Sequence, residues 1–216
     1  EVNECIADPL SCRPGIGSVS FSGCQLSEGD IGDLNYCFTT IGRSGLRYIN
    51  LDDNDFIAVP PIFEELTALT HLNLGRNEIT SFSAGDFAGL SDLSTLFLYD
   101  NQIASFSTGD SDDLVGLQTL SLSGNRITSL PADAFAGLSG LVYLYIFESG
   151  ISILDADAFA GLDHLLFLNI EGNDISLLPA GLFAGTSALS FLNLNGNQLG
   201  AISSGVFNGL AQLREL

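Results

Sequence analysis

Side chains suited to chemistry are sparse in this sequence, and their placement says more than their number. There are two histidines, His71 and His164, far apart in the chain. No serine or cysteine nucleophile stands in a recognisable motif with them, and no glycine-rich phosphate loop or histidine pair at metal-ligand spacing is visible. Catalysis therefore has no candidate group, and no cofactor is implied. The four cysteines, Cys5, Cys12, Cys24 and Cys37, all fall near the N-terminus. An even count in so short a stretch reads as two disulfides formed in an oxidising compartment. The rival reading, zinc, would call for C-x-x-C pairs or histidines in the segment, and it has neither. Three pairings are possible; Cys5–Cys12 with Cys24–Cys37 is the preferred one. The remaining reactive material is charge: 26 acids against six bases, net −20. All six bases are arginine. Such a surface lacks the clustered cations that a phosphate backbone needs, so nucleic acid is not an expected partner. It suits high-salt or calcium-rich surroundings instead.

The elements that must position these groups are announced by a period. Leu69, Leu93, Leu117, Leu141, Leu165, Leu189 and Leu213 stand 24 residues apart, and Leu46 opens a unit one residue shorter. We number the units one to seven from Leu46 to Leu189. Each opens with L-x-x-L-x-L-x-x-N-x-I/L/F or a close variant. A fixed period of this size means stacked supersecondary units, each burying its apolar face on its neighbours. In L-x-x-L-x-L the last two apolar residues are two apart and share one face of a strand, while the residues between them face the other way. The asparagines Asn54, Asn77, Asn101, Asn125, Asn173 and Asn197 follow each strand, where an amide can both donate to and accept from backbone groups inside the coil. Repeat five carries Ser149 instead. In the back half of the units stand Phe63, Phe87, Phe135, Phe159, Phe183 and Phe207, in most units with a leucine at one-turn spacing after them, and with Asp86, Asp133 and Asp157 placed as N-caps. Repeat three has Ser111 in place of the phenylalanine, which predicts poorer packing there. Val19 to Ser22 alternates apolar and polar and predicts a cap strand.

The seven in-phase copies resemble the leucine-rich repeat family. The resemblance covers residues 46 to 216 and implies an α/β repeat solenoid, a horseshoe with a parallel β-sheet on the concave face and short helical or irregular turns on the convex face. It divides the chain into a cysteine-stapled N-terminal cap over 1–45, seven repeats over 46–212, and the start of a truncated eighth at 213–216. The cap looks like that of extracellular members, although it lacks the close C-x-C of the common vertebrate form. No apolar stretch is long enough to span a membrane. The expected place is thus extracellular, secreted or at the cell surface.

In this family the strand face opposite the leucines lines the concave side. Its third position reads Tyr48, His71, Thr95, Thr119, Tyr143, Phe167 and Phe191 along the repeats. The fifth reads Asn50, Asn73, Phe97, Ser121, Tyr145, Asn169 and Asn193. The seventh reads Asp52, Gly75, Tyr99, Ser123, Phe147, Glu171 and Asn195. Strands favour aromatics in any case, but an exposed aromatic strip invites aggregation unless it is used. Phe97 and Tyr99 from repeat three, and Tyr143, Tyr145 and Phe147 from repeat five, should flank a polar floor of Thr119, Ser121 and Ser123. With strands about 4.8 Å apart, that trough is roughly 10 Å across. Tyr48, Phe167 and Phe191 extend the candidate ligand-binding face, and Asp52 and Asp53 are weak calcium candidates on its acidic flank. The expected function is recognition of a protein or glycan, similar to that of extracellular leucine-rich repeat adhesins and receptors. The alternative is a self-associating structural or matrix protein, a possible homo-oligomer.

Overall fold

A computed structural model of the chain describes residues 17–107 and 114–216. Twelve short strands follow in chain order: β1 (Ser18–Ser20), β2 (Tyr48–Asn50), β3 (His71–Asn73), β4 (Ser81–Ser83), β5 (Thr95–Phe97), β6 (Ser105–Ser107), β7 (Thr119–Ser121), β8 (Ser129–Leu130), β9 (Tyr143–Tyr145), β10 (Ile153–Leu154), β11 (Phe167–Asn169) and β12 (Phe191–Asn193). One helix, α1 (Ile31–Ile41), belongs to the N-terminal segment. Eight strands form one parallel sheet in the order β1-β2-β3-β5-β7-β9-β11-β12. Each repeat contributes one strand, so the sheet is built by stacking coils at their repeat period. The registers agree: Leu72 sits opposite Leu96, and Leu96 opposite Leu120. Past β12 the sheet is extended by a parallel bridge from Phe191 to Glu215.

The repeat leucines face inward as one continuous core. Leu69, Leu74, Leu96, Leu98, Leu117, Leu122, Leu141 and Leu144 are all buried to 1% exposure or less. Burying one such side chain is worth about 1.5–3 kcal/mol, and seven repeats of them bind coil to coil. At the N-terminal end β1 pairs with β2 and gives the first repeat a neighbour, which removes a bare edge. The expected cap strand is shifted by one residue from its sequence position. Helix α1 is a feature that the sequence reading missed. A capping box at Ser27 and Asp30 precedes it, and its Leu34, Cys37, Phe38 and Ile41 close the core. Cys24 and Cys37 are both disulfide-bonded. Cys5 and Cys12, and with them the pairing, lie outside the described residues. Among the described residues no helix is long and apolar enough to cross a membrane.

Inside the coils the asparagine column is a hydrogen-bond ladder. Asn125 Nδ2 donates to Leu98 O (2.9 Å) and Leu122 O (2.8 Å), while its Oδ1 accepts from Ile103 N (2.9 Å). Asn77, Asn101, Asn173 and Asn197 repeat this arrangement in their own coils. Ser149 keeps only the donating half, its hydroxyl reaching Leu122 O (3.2 Å). Ile127 N, which the pattern assigns to this position, is offered no amide oxygen.

The cap expectations for the convex side are corrected. Asp86 is not an N-cap but the third residue of a box whose cap is Ser83. Asp133 takes a left-handed turn conformation (φ 55), and Asp157 accepts no cap bond but donates its N–H to Asp155 (3.0 Å). Ser111 lies outside the described residues, but Phe106, from strand β6, stacks on Phe82 (5.3 Å) and meets Phe135 (5.5 Å). The ring column then continues through Phe159, Phe183 and Phe207 at 6.0–6.1 Å. A ring from the preceding strand thus fills the missing rung.

Candidate functional site

The open face is set by the residues between the core leucines. In repeats one, two, six and seven the fifth position is asparagine, and its Oδ1 accepts from the backbone N–H two residues on: Asn50 from Asp52, Asn73 from Gly75, Asn169 from Glu171 and Asn193 from Asn195, at 2.9–3.0 Å. That local bond ends the strand and leaves a polar face. Repeats three, four and five replace the asparagine with Phe97, Ser121 and Tyr145. The rings there form the walls of an open pocket of about 310 Å³, lined by Phe97, Tyr99, Thr119, Ser121, Tyr145 and Phe147. Thr119 and Ser121 of β7 are the floor, one strand from each wall.

Tyr99 is held in place from behind. Its hydroxyl donates to Asp52 Oδ1 (2.8 Å), two repeats away. Gly75 lets the ring lie flat on the sheet: a Cβ there would meet three Tyr99 ring atoms at 2.5–2.8 Å. Arg76 lies over the ring, 5.4 Å from its centroid, and pairs with Asp52 (3.1 Å) and at longer range with Asp100 (4.0 Å). These carboxylates, Asp52 foremost, raise the Arg76 pKa above its ordinary value. Burial is the main cause raising the Tyr99 and Tyr145 pKa values, so both phenols are neutral at physiological pH.

The sequence-selected residues separate into groups. Six of them line the pocket. Tyr143 stays outside it, 42% exposed, and turns toward Phe167 (6.3 Å). Phe167 also meets Tyr145 (5.0 Å) and stacks flat on Phe191 (4.4 Å, 3° between planes). The face therefore continues as a ring strip toward repeat seven. Tyr48 is apart from both, beside His71 at the other end of the sheet (6.0 Å). Ser123 is not floor. It is 1% exposed, and its Oγ accepts from Phe147 N (3.1 Å), which lacks an asparagine on its own strand. Asp52 is likewise committed, to Tyr99 and Arg76, and among the described residues no three potential metal-ligating side chains come together. Calcium at Asp52 and Asp53 is not carried further. The histidines remain separate: His71 bonds Thr70 Oγ1 (2.9 Å) and His164 bonds Ser139 O (3.0 Å). The roles of Asp52, Gly75 and Arg76 behind Tyr99 escaped sequence reading. The one signal was Gly75, the sole glycine in a column otherwise bearing side chains.

Comparison with known proteins decides the family. The leucine rich repeat model matches residues 44–103 and 115–175. The chain belongs to the leucine-rich repeat family. Chaoptin of Tribolium castaneum is 47% identical over 49 residues, which is 23% of this chain and 6% of that protein. Among solved structures, TLR13 in complex with ssRNA13 matches at 28% identity and a TM-score of 0.76 over 88% of this chain. The Drosophila Toll–Spatzle complex matches at 23% identity and a TM-score of 0.76 over 93%, a likeness of fold alone. This leucine-rich repeat chain spans 26% of each of those structures.

Proposed function

We propose that this leucine-rich repeat segment is an extracellular recognition module that binds a protein ligand on its concave face, centred on the pocket between repeats three and five. One observation carries the reading: four rings and two hydroxyl-bearing side chains converge on one open pocket of about 310 Å³. Small ligand pockets begin at about this size, and a protruding protein side chain fits it. Central aromatics dominate binding energy at protein interfaces. The solved neighbour with a protein partner, Toll with Spatzle, lends support at the level of fold.

The disulfides at Cys24 and Cys37 favour an oxidising, extracellular setting. Nucleic acid is the less favoured ligand for this chain although one neighbour is solved with ssRNA. The pocket lining holds no cation, and a net charge of −20 repels phosphate. The two histidines lie apart, each bonded to a partner of its own, and no enzymatic role is proposed. A glycan ring could also stack on the walls, so the screen must include both classes.

The test is binding of secreted and cell-surface proteins, and of glycans, to the wild type, Tyr145→Ala and Asp133→Asn. A protein partner retained by wild type and by the convex variant, but lost with Tyr145→Ala, supports the reading. Loss with the convex variant alone overturns it. Light scattering separates the self-association alternative, for which the mass rises with concentration.

A further inference from the structure

The chemistry around the pocket narrows its occupant. Phe97 and Tyr99 stand on one side, Tyr145 and Phe147 on the other. Ring faces carry partial negative charge and attract cations, more strongly as water is excluded. Each outer ring is followed directly by an acid: Asp100 after Tyr99, and Glu148 after Phe147. Both acids adopt left-handed backbone (φ 52 and 53), which turns them out of the strand direction at the sheet's edge. Asp100 then lies against Gly124, three residues beyond the floor residue Ser121. Any Cβ added to Gly124, the floor repeat's residue at the same position, would collide with the Asp100 carboxylate. That carboxylate is 59% exposed, so it can face an incoming group.

The molecule already shows what one of these rings accepts. Arg76, from the repeat before Tyr99, lies over the Tyr99 ring with Asp52 and Asp100 as its counter-ions. The pocket opens on the repeat after Tyr99 and offers the same ring, with three further rings and no cation of its own; Asp100 stands outside that lining, next to Tyr99 in the chain. An apolar occupant would use the rings but gain nothing from the Asp100 carboxylate, which is 59% exposed and only distantly paired with Arg76 (4.0 Å). A cation uses both.

We propose that the pocket receives a single cationic side chain, an arginine or lysine displayed by a basic segment of the protein partner, caged by Phe97, Tyr99, Tyr145 and Phe147 with Asp100 at its mouth. This rests on the concave-face reading above and assigns its ligand chemistry. The surrounding acid excess steers such a segment from a distance, and Asp100 orients its charge on arrival.

The experiment uses three capped pentapeptides, with arginine, neutral citrulline or phenylalanine flanked by glycine and serine. Amide shifts of the full chain are followed by NMR as each is added. The arginine peptide should shift residues of repeats three to five, and bind roughly tenfold more tightly than its citrulline isostere, the size expected of a partly desolvated cation–ring contact. Asp100→Asn keeps a residue tolerant of the left-handed turn and should weaken the arginine peptide severalfold while leaving the citrulline peptide unchanged. Added salt should weaken the arginine peptide alone. If citrulline or phenylalanine peptides bind the same residues as tightly, the cation assignment is overturned and the concave pocket stands. If no peptide binds, or the shifts lie outside repeats three to five, the assignment is likewise overturned. The fate of the partner on Tyr145→Ala then judges the wider reading by itself.

Discussion

Repeats three to five and repeats six and seven share the same inward leucines yet present different open faces. In repeats six and seven Asn169 and Asn193 fold back on their own strands and bond the next-but-one backbone N–H. In repeats three and five that place is taken by Phe97 and Tyr145, which project outward instead. Repeat five then needs another acceptor for Phe147 N, and Ser123 of the neighbouring coil supplies it from a buried position. Tyr99 in turn is braced by Asp52, Gly75 and Arg76. The core is thus indifferent to what the open face carries, provided that the backbone donors released by losing an asparagine are met elsewhere. Variation of the face is cheap in core stability, and its cost falls on a few polar residues beneath it.

Substitutions can break this separation of core and face, and the largest effect is expected in the ladder that both regions share. Asn125→Ala removes three donated contacts and one accepted bond from buried backbone groups, and should destabilise the protein by about 1–3 kcal/mol. Ser149→Ala should cost less, since Ser149 supplies only the donating half. Equal denaturation midpoints for the two variants would refute the ladder's directionality. On the face, Tyr145→Ala should weaken ligand binding roughly thirtyfold, the effect of losing a central aromatic worth about 2 kcal/mol, with a melting temperature close to wild type. Gly75 is not itself a lining residue of the pocket. The Cβ added in Gly75→Ala must nevertheless push Tyr99 off the sheet, and binding should fall by roughly the tenfold that about 1.4 kcal/mol represents. Calorimetry that shows full affinity in this variant would mean that the brace behind Tyr99 is dispensable.

Smaller effects sharpen the comparison. Ser123→Ala leaves Phe147 N without its acceptor and should cost about 0.5–1.5 kcal/mol; Ser190→Ala, the loss of an exposed hydroxyl bonded to Leu166 O, should cost less. Urea titration ranks them. The smallest signal is in alkali. Burial raises the Tyr99 and Tyr145 pKa values above the ordinary value of a phenol. A raised folded-state pKa gives a contribution to stability that is complete below the unfolded value and lost as pH rises through the folded one. Ultraviolet titration should therefore show two phenols ionising later than the rest, with stability falling over that range. In Tyr145→Ala one late phenol should vanish.

Much of the molecule was legible in the sequence because its physics repeats. One leucine period implies strands, register, a parallel sheet and the asparagine ladder together, since every coil must solve the same burial problem. The ring-bearing columns of repeats three and five were legible for the same reason: alternation along a strand decides which face a residue takes. Only tertiary structure decided what depends on the contact between non-equivalent residues. Ser123 reads as floor in its column, but the missing asparagine next door draws it inward as an acceptor. Tyr143 reads as wall, yet Phe167 holds it outside the pocket. Phe106 fills the rung that Ser111 leaves, a substitution visible only once two coils are stacked. Helix α1 has no periodic signal long enough to announce it, and is fixed by the open end of the core that it covers. A repeat specifies what every coil has in common; the site arises where coils differ, and the consequence of a difference is set by its neighbours.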